Sequence, residues 1–248
     1  MKAMHIIALT AALLLSGSLH AELVRMSADS WPPFTDKRLP NNGLAVDLVN
    51  TALQRAGYTT EYIEAPWARV LHGLQQGDYD LVVSAWYSEE RTRFGQFSAP
   101  YLINRVRFLQ HRRTAIDYQS LADLRPYDIA VVRGYSYSQA FDQDASLRKV
   151  PVLEFAMGAR MLAAGRVQLA LEDELVAQHY LNRELAEVKD SLTFLPQPLS
   201  ENGLHILVRL SHPRHQQIVD DFNRAIVQMR ADGTYAQIYQ RHGLQAQE

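Results

Sequence analysis

The chain has 248 residues, 47% of them hydrophobic and 21% charged, with a formal net charge of −2 and no cysteine. That apolar fraction suits a folded globular chain, and the length suits two compact lobes or one large domain. The lack of cysteine excludes disulfides, thiolate metal sites and a lipid-modified N-terminal cysteine, and the balanced charge without a basic block argues against a nucleic-acid partner.

The chain opens like a removable export signal. Met1–Lys2 is a positive start, residues 6–15 are an apolar run too short to span a bilayer, and residues 16–21 are mostly small. Cleavage after Ala21 makes residues 1–21 the signal peptide; a cut after Ser18 is the alternative, because Leu19 is large for its place. No later run approaches membrane-spanning length, so the mature chain is expected in the periplasm without a membrane anchor.

Residues 23–28 read as the first strand, followed by Asp29-Ser30-Trp31-Pro32-Pro33-Phe34. Two prolines forbid continued pairing and are expected to hold this loop extended, presenting Trp31 either to a cleft or to the core. Ala45, Leu48, Val49, Ala52, Leu53 and Ala56 form a helical stripe stopped by Gly57. Asp47 falls in the first turn, where a carboxylate suits the helix dipole, and reads as structural. After a strand over 59–63, Pro66 starts a helix through Trp67, Val70, Leu71 and Leu74 that stops at Gly77. Trp67 reads equally as core and as cleft wall; Arg69 beside it faces solvent.

Leu81-Val82-Val83 is a short apolar run that reads as an interior strand of a parallel sheet. Ligands of open α/β sheets collect beyond the carboxyl ends of the strands. The residues there offer hydroxyls at Ser84 and Ser88, apolar walls with polar tips at Trp86 and Tyr87, and a planar fork for a carboxylate at Arg91. The alternative for Arg91 is a surface ion pair with Glu89 or Glu90.

The run Ser84-Ala85-Trp86-Tyr87-Ser88-Glu89-Glu90-Arg91, followed by Phe97-Ser98-Ala99-Pro100-Tyr101, resembles the signature of extracellular solute-binding protein family 3. These are the substrate-binding proteins of polar amino-acid ABC transporters. Gly43-Leu44-Ala45-Val46-Asp47-Leu48, Gly77-Asp78-Tyr79-Asp80 and Ala231-Asp232-Gly233-Thr234 extend the likeness over residues 23–243. The resemblance implies a periplasmic-binding-protein-like α/β fold of type II, with two α/β lobes joined by two crossing strands. Residues 22–104 would begin lobe one, 105–202 form lobe two and 203–248 return to lobe one. It also implies that Arg91 grips a ligand's α-carboxylate, with Trp31 and Trp67 closing on the ligand from either side.

In the second lobe, residues 106–110 read as a strand, 121–124 as a short helix and 128–132 as a buried strand. Arg133-Gly134-Tyr135-Ser136 follows at an expected helix start, where the resemblance gives Ser136 a share of the carboxylate. Ser136 can equally cap that helix. Tyr135 departs from the family, a large ring where a small hydroxyl is usual. After a helix over 155–164 and a strand over 167–171 come Glu172-Asp173-Glu174. The resemblance assigns Asp173 to the ligand's ammonium; its alternative is capping a helix over 174–185, and Glu172 and Glu174 are expected in solvent. Strands over 192–195 and 204–208, the second of them crossing back, lead to a long helix opened by Pro213 and a last one ending at Gly243.

The expected protein is therefore a monomeric periplasmic solute-binding protein, not an enzyme, with no cofactor and no metal site. It would capture a small carboxylate-bearing ligand, an amino acid, by lobe closure and deliver it to a membrane ABC transporter permease. The only three tryptophans, Trp31, Trp67 and Trp86, all fall at cleft positions of the family pattern, which favours a ligand with an apolar, aromatic or cationic side chain. One rival is a cyclohexadienyl dehydratase-like enzyme on the same fold, with Glu172, Asp173 or Glu174 as general acid. Another is a ligand-sensing partner of a membrane receptor.

Overall fold

The computed structural model describes residues 21–246; the predicted signal peptide, Ala21 apart, lies outside them. Three short strands run parallel: β1 (Leu23–Ala28), β2 (Thr59–Glu64) and β3 (Leu81–Trp86), with β1 between the other two; β1 and β3 are largely buried and β2 is the half-exposed edge. The small strand β4 (Gly95–Phe97) follows, then β5 (Leu102–His111), β6 (Asp128–Val132), β7 (Arg148–Val152) and β8 (Leu169–Asp173). β9 (Leu192–Phe194) and β10 (Ser200–Arg209) close the series. The spatial order is β2-β1-β3-β10-β5-β8-β6-β7, with β4 on β10 and β9 on β5.

The middle of that order is the link between the lobes. β5 and β10 are ten residues long and pair antiparallel from Leu102↔Leu204 to Val106↔Ser200. Their remaining halves serve different neighbours: β10 continues onto β3, and β5 onto β8. Each strand therefore pairs with the other along one half and with its own neighbouring set along the rest, which makes both longer than the apolar runs 106–110 and 204–208 suggested.

Among the described residues seven helices cover the faces: α1 (Leu44–Arg55), α2 (Trp67–Gln76), α3 (Gln139–Gln143), α4 (Phe155–Ala163), α5 (Glu174–Leu181), α6 (His215–Ala231) and α7 (Thr234–Arg241). The apolar stripes expected on α1 and α6 are buried. Asp47 ties α1 to the C-terminal region, meeting Arg241 Nη1 at 3.1 Å and His242 Nε2 at 3.0 Å, a structural role as expected. Among the described residues no helix is long and apolar enough to cross a membrane.

Four local expectations are corrected. The Trp31–Thr35 loop is a tight turn, not an extended presentation: Trp31 N–H donates to Thr35 O at 2.6 Å and Thr35 N–H returns to Trp31 O at 3.1 Å. Helix α3 starts at Gln139 and is capped by Ser138, so Ser136 stands before the helix and does not cap it. Strand β8 runs two residues further than its apolar segment, because Glu172 and Asp173 pair with Arg107 and Val106 of β5. Glu172 is consequently fully buried rather than solvated. α5 stops at Leu181, short of residue 185.

Candidate functional site

The carboxyl ends of the parallel strands point at one another across the crossing pair. Asp29 and Trp31 follow β1, Ser84 and Trp86 end β3, and Arg91 follows in a 3₁₀ turn over Glu90–Arg93. Trp67 is the first residue of α2, and Tyr135 and Ser136 follow β6. With Leu204 of β10, these side chains enclose a cavity of about 20 Å³, room for little more than one water molecule.

Arg91 is 6% exposed. Its Nη1 donates to Trp86 O and its Nη2 to Gly134 O, both at 2.9 Å, and its guanidinium lies 5.0 Å from the Trp67 ring centre. Among the described residues no carboxylate lies within ion-pair distance of it, and Glu89 and Glu90, the candidates for a surface pair, are exposed. Burial pulls its pKa down to about 10, against the pull of Glu90, Asp142 and Asp29. Gly134 is placed to accept from two donors, Arg91 and Trp67 Nε1, the latter also at 2.9 Å. Its φ of +78° is a left-handed conformation that glycine adopts at no steric cost.

All three tryptophans are buried against this cavity. Trp31 and Trp86 meet edge to face at 5.4 Å, and each indole N–H is satisfied: Trp31 by Glu172 Oε1 at 3.1 Å, Trp86 by Asn104 Oδ1 at 2.9 Å. Between Trp67 and Trp86 stands the Tyr135 ring, 5.9 Å from the first and 5.7 Å from the second. Its hydroxyl donates to Asp29 Oδ2 at 3.1 Å. The three tryptophans thus form an aromatic box around the cavity, and the Tyr135 ring stands in it.

The other expected residues divide. Ser84 is buried on the cavity, with no hydrogen-bond partner for its Oγ among the described residues. Ser136 is half-buried there, its Oγ donating to Asp142 Oδ2 at 3.3 Å. Tyr87 is not a wall of the cavity: it is 58% exposed, its ring 5.1 Å from Phe97. Ser88 is half-buried, and its carbonyl accepts the Arg91 N–H. Both line a broader cleft outside the box. Asp173 is buried and caps α5, its Oδ1 accepting from Leu175 N–H at 2.9 Å and Val176 N–H at 3.0 Å. Glu174 is neither solvated nor in the cavity; it binds Arg107 at 2.6 Å and Arg105 at 3.3 Å.

Sequence reasoning left two carboxyl groups out of the binding site: Asp29, and Glu172, which it named only as a general acid of the rival enzyme. Asp29 lines the cavity itself, and burial pushes its pKa up to about 6, partly offset by the Tyr135 hydroxyl. Its signal was available: it is the first residue beyond the carboxyl end of β1, where the sheet rule places ligand groups. Glu172 is pushed up to about 8 by burial, despite hydrogen bonds from Asp173 N–H and Trp31. Its Oε2 has no partner among the described residues. Burial likewise raises Asp173 to about 7, against its cap bonds.

These features can be set beside known proteins. The ABC transporter arginine-binding protein 1 of Escherichia coli K12 is 24% identical over 229 residues, covering 90% of this chain and 91% of that one. Among solved structures, a histidine kinase sensor domain with similarity to periplasmic binding proteins superposes with a TM-score of 0.77 at 19% identity, covering 92% of this chain and 98% of that one. An ancestral arginine-binding protein bound to arginine superposes with a TM-score of 0.73 at 24% identity, covering 88% of this chain and 97% of that one. Both share the fold of two α/β lobes joined by crossing strands. The profile of the bacterial extracellular solute-binding proteins, family 3, matches residues 23–245, nearly the whole described chain, and the chain belongs to that family.

Proposed function

We propose that this chain is a periplasmic solute-binding protein that captures a small carboxylate-bearing ligand, an amino acid, and presents it to an ABC transporter permease. The observation that carries the reading is Arg91. A guanidinium buried among neutral carbonyls and an indole face is held at a cost that an incoming anion relieves. In the bound form the carboxylate replaces the Gly134 carbonyl on Arg91, within reach of the hydroxyls of Ser84 and Ser136. Asp29, on the same cavity, takes the ligand's cationic group. Asp173 is the second candidate for it, since its cap bonds use Oδ1 alone.

With lobe one as residues 22–104 and 203–248 and lobe two as 105–202, these groups come from both sides of the cleft. Only the closed arrangement assembles them, so a ligand that contacts both lobes shifts the population toward closure, and the closed form is what a permease reads. A monomer suffices for this work. The family and the arginine-binding relative support the amino-acid class. A thermal-shift screen pairing amino acids with their decarboxylated amines tests the reading. Arginine, or another amino acid, should raise the melting temperature while its amine does not; equal stabilisation by both would remove Arg91 and overturn the assignment.

A second reading rests on Glu172. A carboxyl group held protonated near neutral pH, with one oxygen free, meets the first requirement of a general acid, as a dehydratase needs. Incubation with prephenate decides it: phenylpyruvate formation abolished by Glu172→Gln would establish catalysis, and no turnover would leave binding as the function.

A further inference from the structure

We propose that Tyr135 is a tethered surrogate for the ligand's side chain, and that by competing for the aromatic box it sets which side chains the site admits. The inference rests on the binding reading above and names its specificity-determining residue. Three neighbouring groups of lobe two address the three features that an amino acid with a large side chain would use. The Tyr135 ring stands edge-on to Trp67 and Trp86, at interplanar angles of 83° and 81°. Its hydroxyl donates to Asp29, as a ligand's ammonium or guanidinium would. The preceding Gly134 carbonyl holds Arg91, where a carboxylate would sit.

Plain core packing does not account for this placement. Tyr135 packs against two separate apolar clusters, one built on Trp67, Val70 and Leu74, the other continuous through Trp31 and Trp86. Its polar tip reaches a carboxylate on the opposite lobe instead of a neighbour on its own. The loop that carries it is suited to move, because Arg133 and Gly134 are exposed and Gly134 has the conformational freedom of glycine. With the ring in place the cavity is about 20 Å³, so a long side chain enters only by displacing it. A ligand without one competes only for the polar contacts of Arg91 and Asp29 and leaves the ring's place between the indoles alone. The apparent affinity for large side chains is therefore reduced by the fraction of molecules in which the ring has left the box.

The test compares the full chain with Tyr135→Ala and Tyr135→Phe, each checked for folding by thermal melting. Calorimetry with glycine, alanine, phenylalanine and arginine should show that Tyr135→Ala tightens phenylalanine and arginine about tenfold or more and the small pair little, because only the former need the freed fraction. Tyr135→Phe keeps the ring but releases Asp29, so arginine should gain more than phenylalanine. Acrylamide quenching without any added solute gives a second readout: Tyr135→Ala should expose Trp67 and Trp86 to the quencher, and Tyr135→Phe should not. Unchanged quenching in Tyr135→Ala, or equal changes for glycine and arginine, would overturn the proposal. Increased quenching with no solute bound by any of the three proteins would support the ring's place in the box and overturn the binding reading instead.

Discussion

Asp80 and Arg91 are both charged side chains buried to a similar depth, 4% and 6% exposed, and they are satisfied in opposite ways. Asp80 sits between two arginines: Arg25 donates from Nε at 3.0 Å and Nη2 at 2.9 Å, and Arg209 from Nη2 at 3.0 Å and Nε at 3.2 Å. Burial alone would raise its pKa, yet these bonds hold it below the ordinary carboxylate range. Arg91 has only carbonyl oxygens and a ring face, and burial lowers its pKa to about 10. Depth is the same in both places; the counter-charge is what differs. A buried charge with its partner built in serves the fold, whereas one without a built-in partner is a candidate for an incoming counter-charge, as proposed for Arg91.

The largest effect that breaks this comparison is expected at Arg91. Arg91→Ala should weaken ligand binding by about 2–5 kcal/mol, the usual loss for a desolvated charge-assisted pair. Arg91→Lys should lose most of the same affinity, because an ammonium cannot make the forked contact. Neither change should lower the melting temperature much, since a guanidinium without a counter-ion contributes little to stability. Calorimetry and thermal melts on the same preparations check both halves, and an Arg91→Ala protein that binds normally would end the assignment.

Asp80→Asn is the mirror experiment. It keeps the shape but leaves Arg25 and Arg209 facing each other with no anion between them. The cost is expected at about 2–3 kcal/mol, discounted because Arg25 is partly exposed, or a fall of roughly 4–12 °C in melting temperature for a chain of this size. Ligand affinity should stay within about twofold, because the triad lies at the opposite ends of β1 and β3 from the cleft. A large affinity loss in this variant would erase the distinction between the two charges.

The same contrast explains what the sequence did and did not disclose. Leu81-Val82-Val83 was readable because a buried parallel strand needs a continuous apolar run, and the Ser84–Arg91 spacing because it resembles the signature of the family to which the chain belongs. Glu172 was misread because three acids in a row resemble a solvated turn. The β5–β8 register, which sets Glu172 opposite Arg107 and Asp173 opposite Val106, shows that the strand runs on through both acids, and both are buried. Glu174, one residue on, turns to Arg105 and Arg107 instead. Tyr135 was visible as a departure in size, but which lobe's tryptophans it would meet depends on how the lobes close, and no local pattern encodes that.

Glu172 sharpens the comparison through pH. Its pKa is raised from 4.5 to about 8 by burial, so the folded, closed arrangement binds a proton more tightly than an unfolded or opened one. Its contribution is fully present below about pH 4.5 and is lost as pH rises through 8. Asp29, raised to about 6, and Asp173, raised to about 7, act in the same direction. These three carboxyls make stability fall from pH 5 to pH 8, against His179, His205 and His212, whose burial-lowered pKa values act the other way, and Glu172→Gln, neutral throughout, should remove its share of the fall. Melting curves across the window check it; an unaltered slope would show that Glu172 ionises without cost, and hence that it is not sealed behind Trp31.

The smallest effects are expected just outside the box, where they mark its edge. Ser84 and Tyr87 stand three residues apart at the end of β3, and each carries a hydroxyl. Ser84 is buried on the cavity with an unpartnered Oγ, whereas Tyr87 is 58% exposed and rests on Phe97. If burial beside Arg91 defines the site, Ser84→Ala should cost the ligand one hydrogen bond, about 1 kcal/mol or fivefold in affinity, because the partner oxygen is left buried. It should leave stability unchanged or slightly raised, since it removes an unsatisfied hydroxyl. Tyr87→Ala should do the reverse. It loses part of an exposed aromatic pair, about 0.5 kcal/mol of stability, and changes affinity less than about twofold. Parallel titrations and melts of the two variants measure the four numbers. A tenfold loss of affinity in Tyr87→Ala would extend the ligand into the broader cleft along Ser88, Arg93 and Arg133, and the boundary drawn at Trp86 would have to move outward.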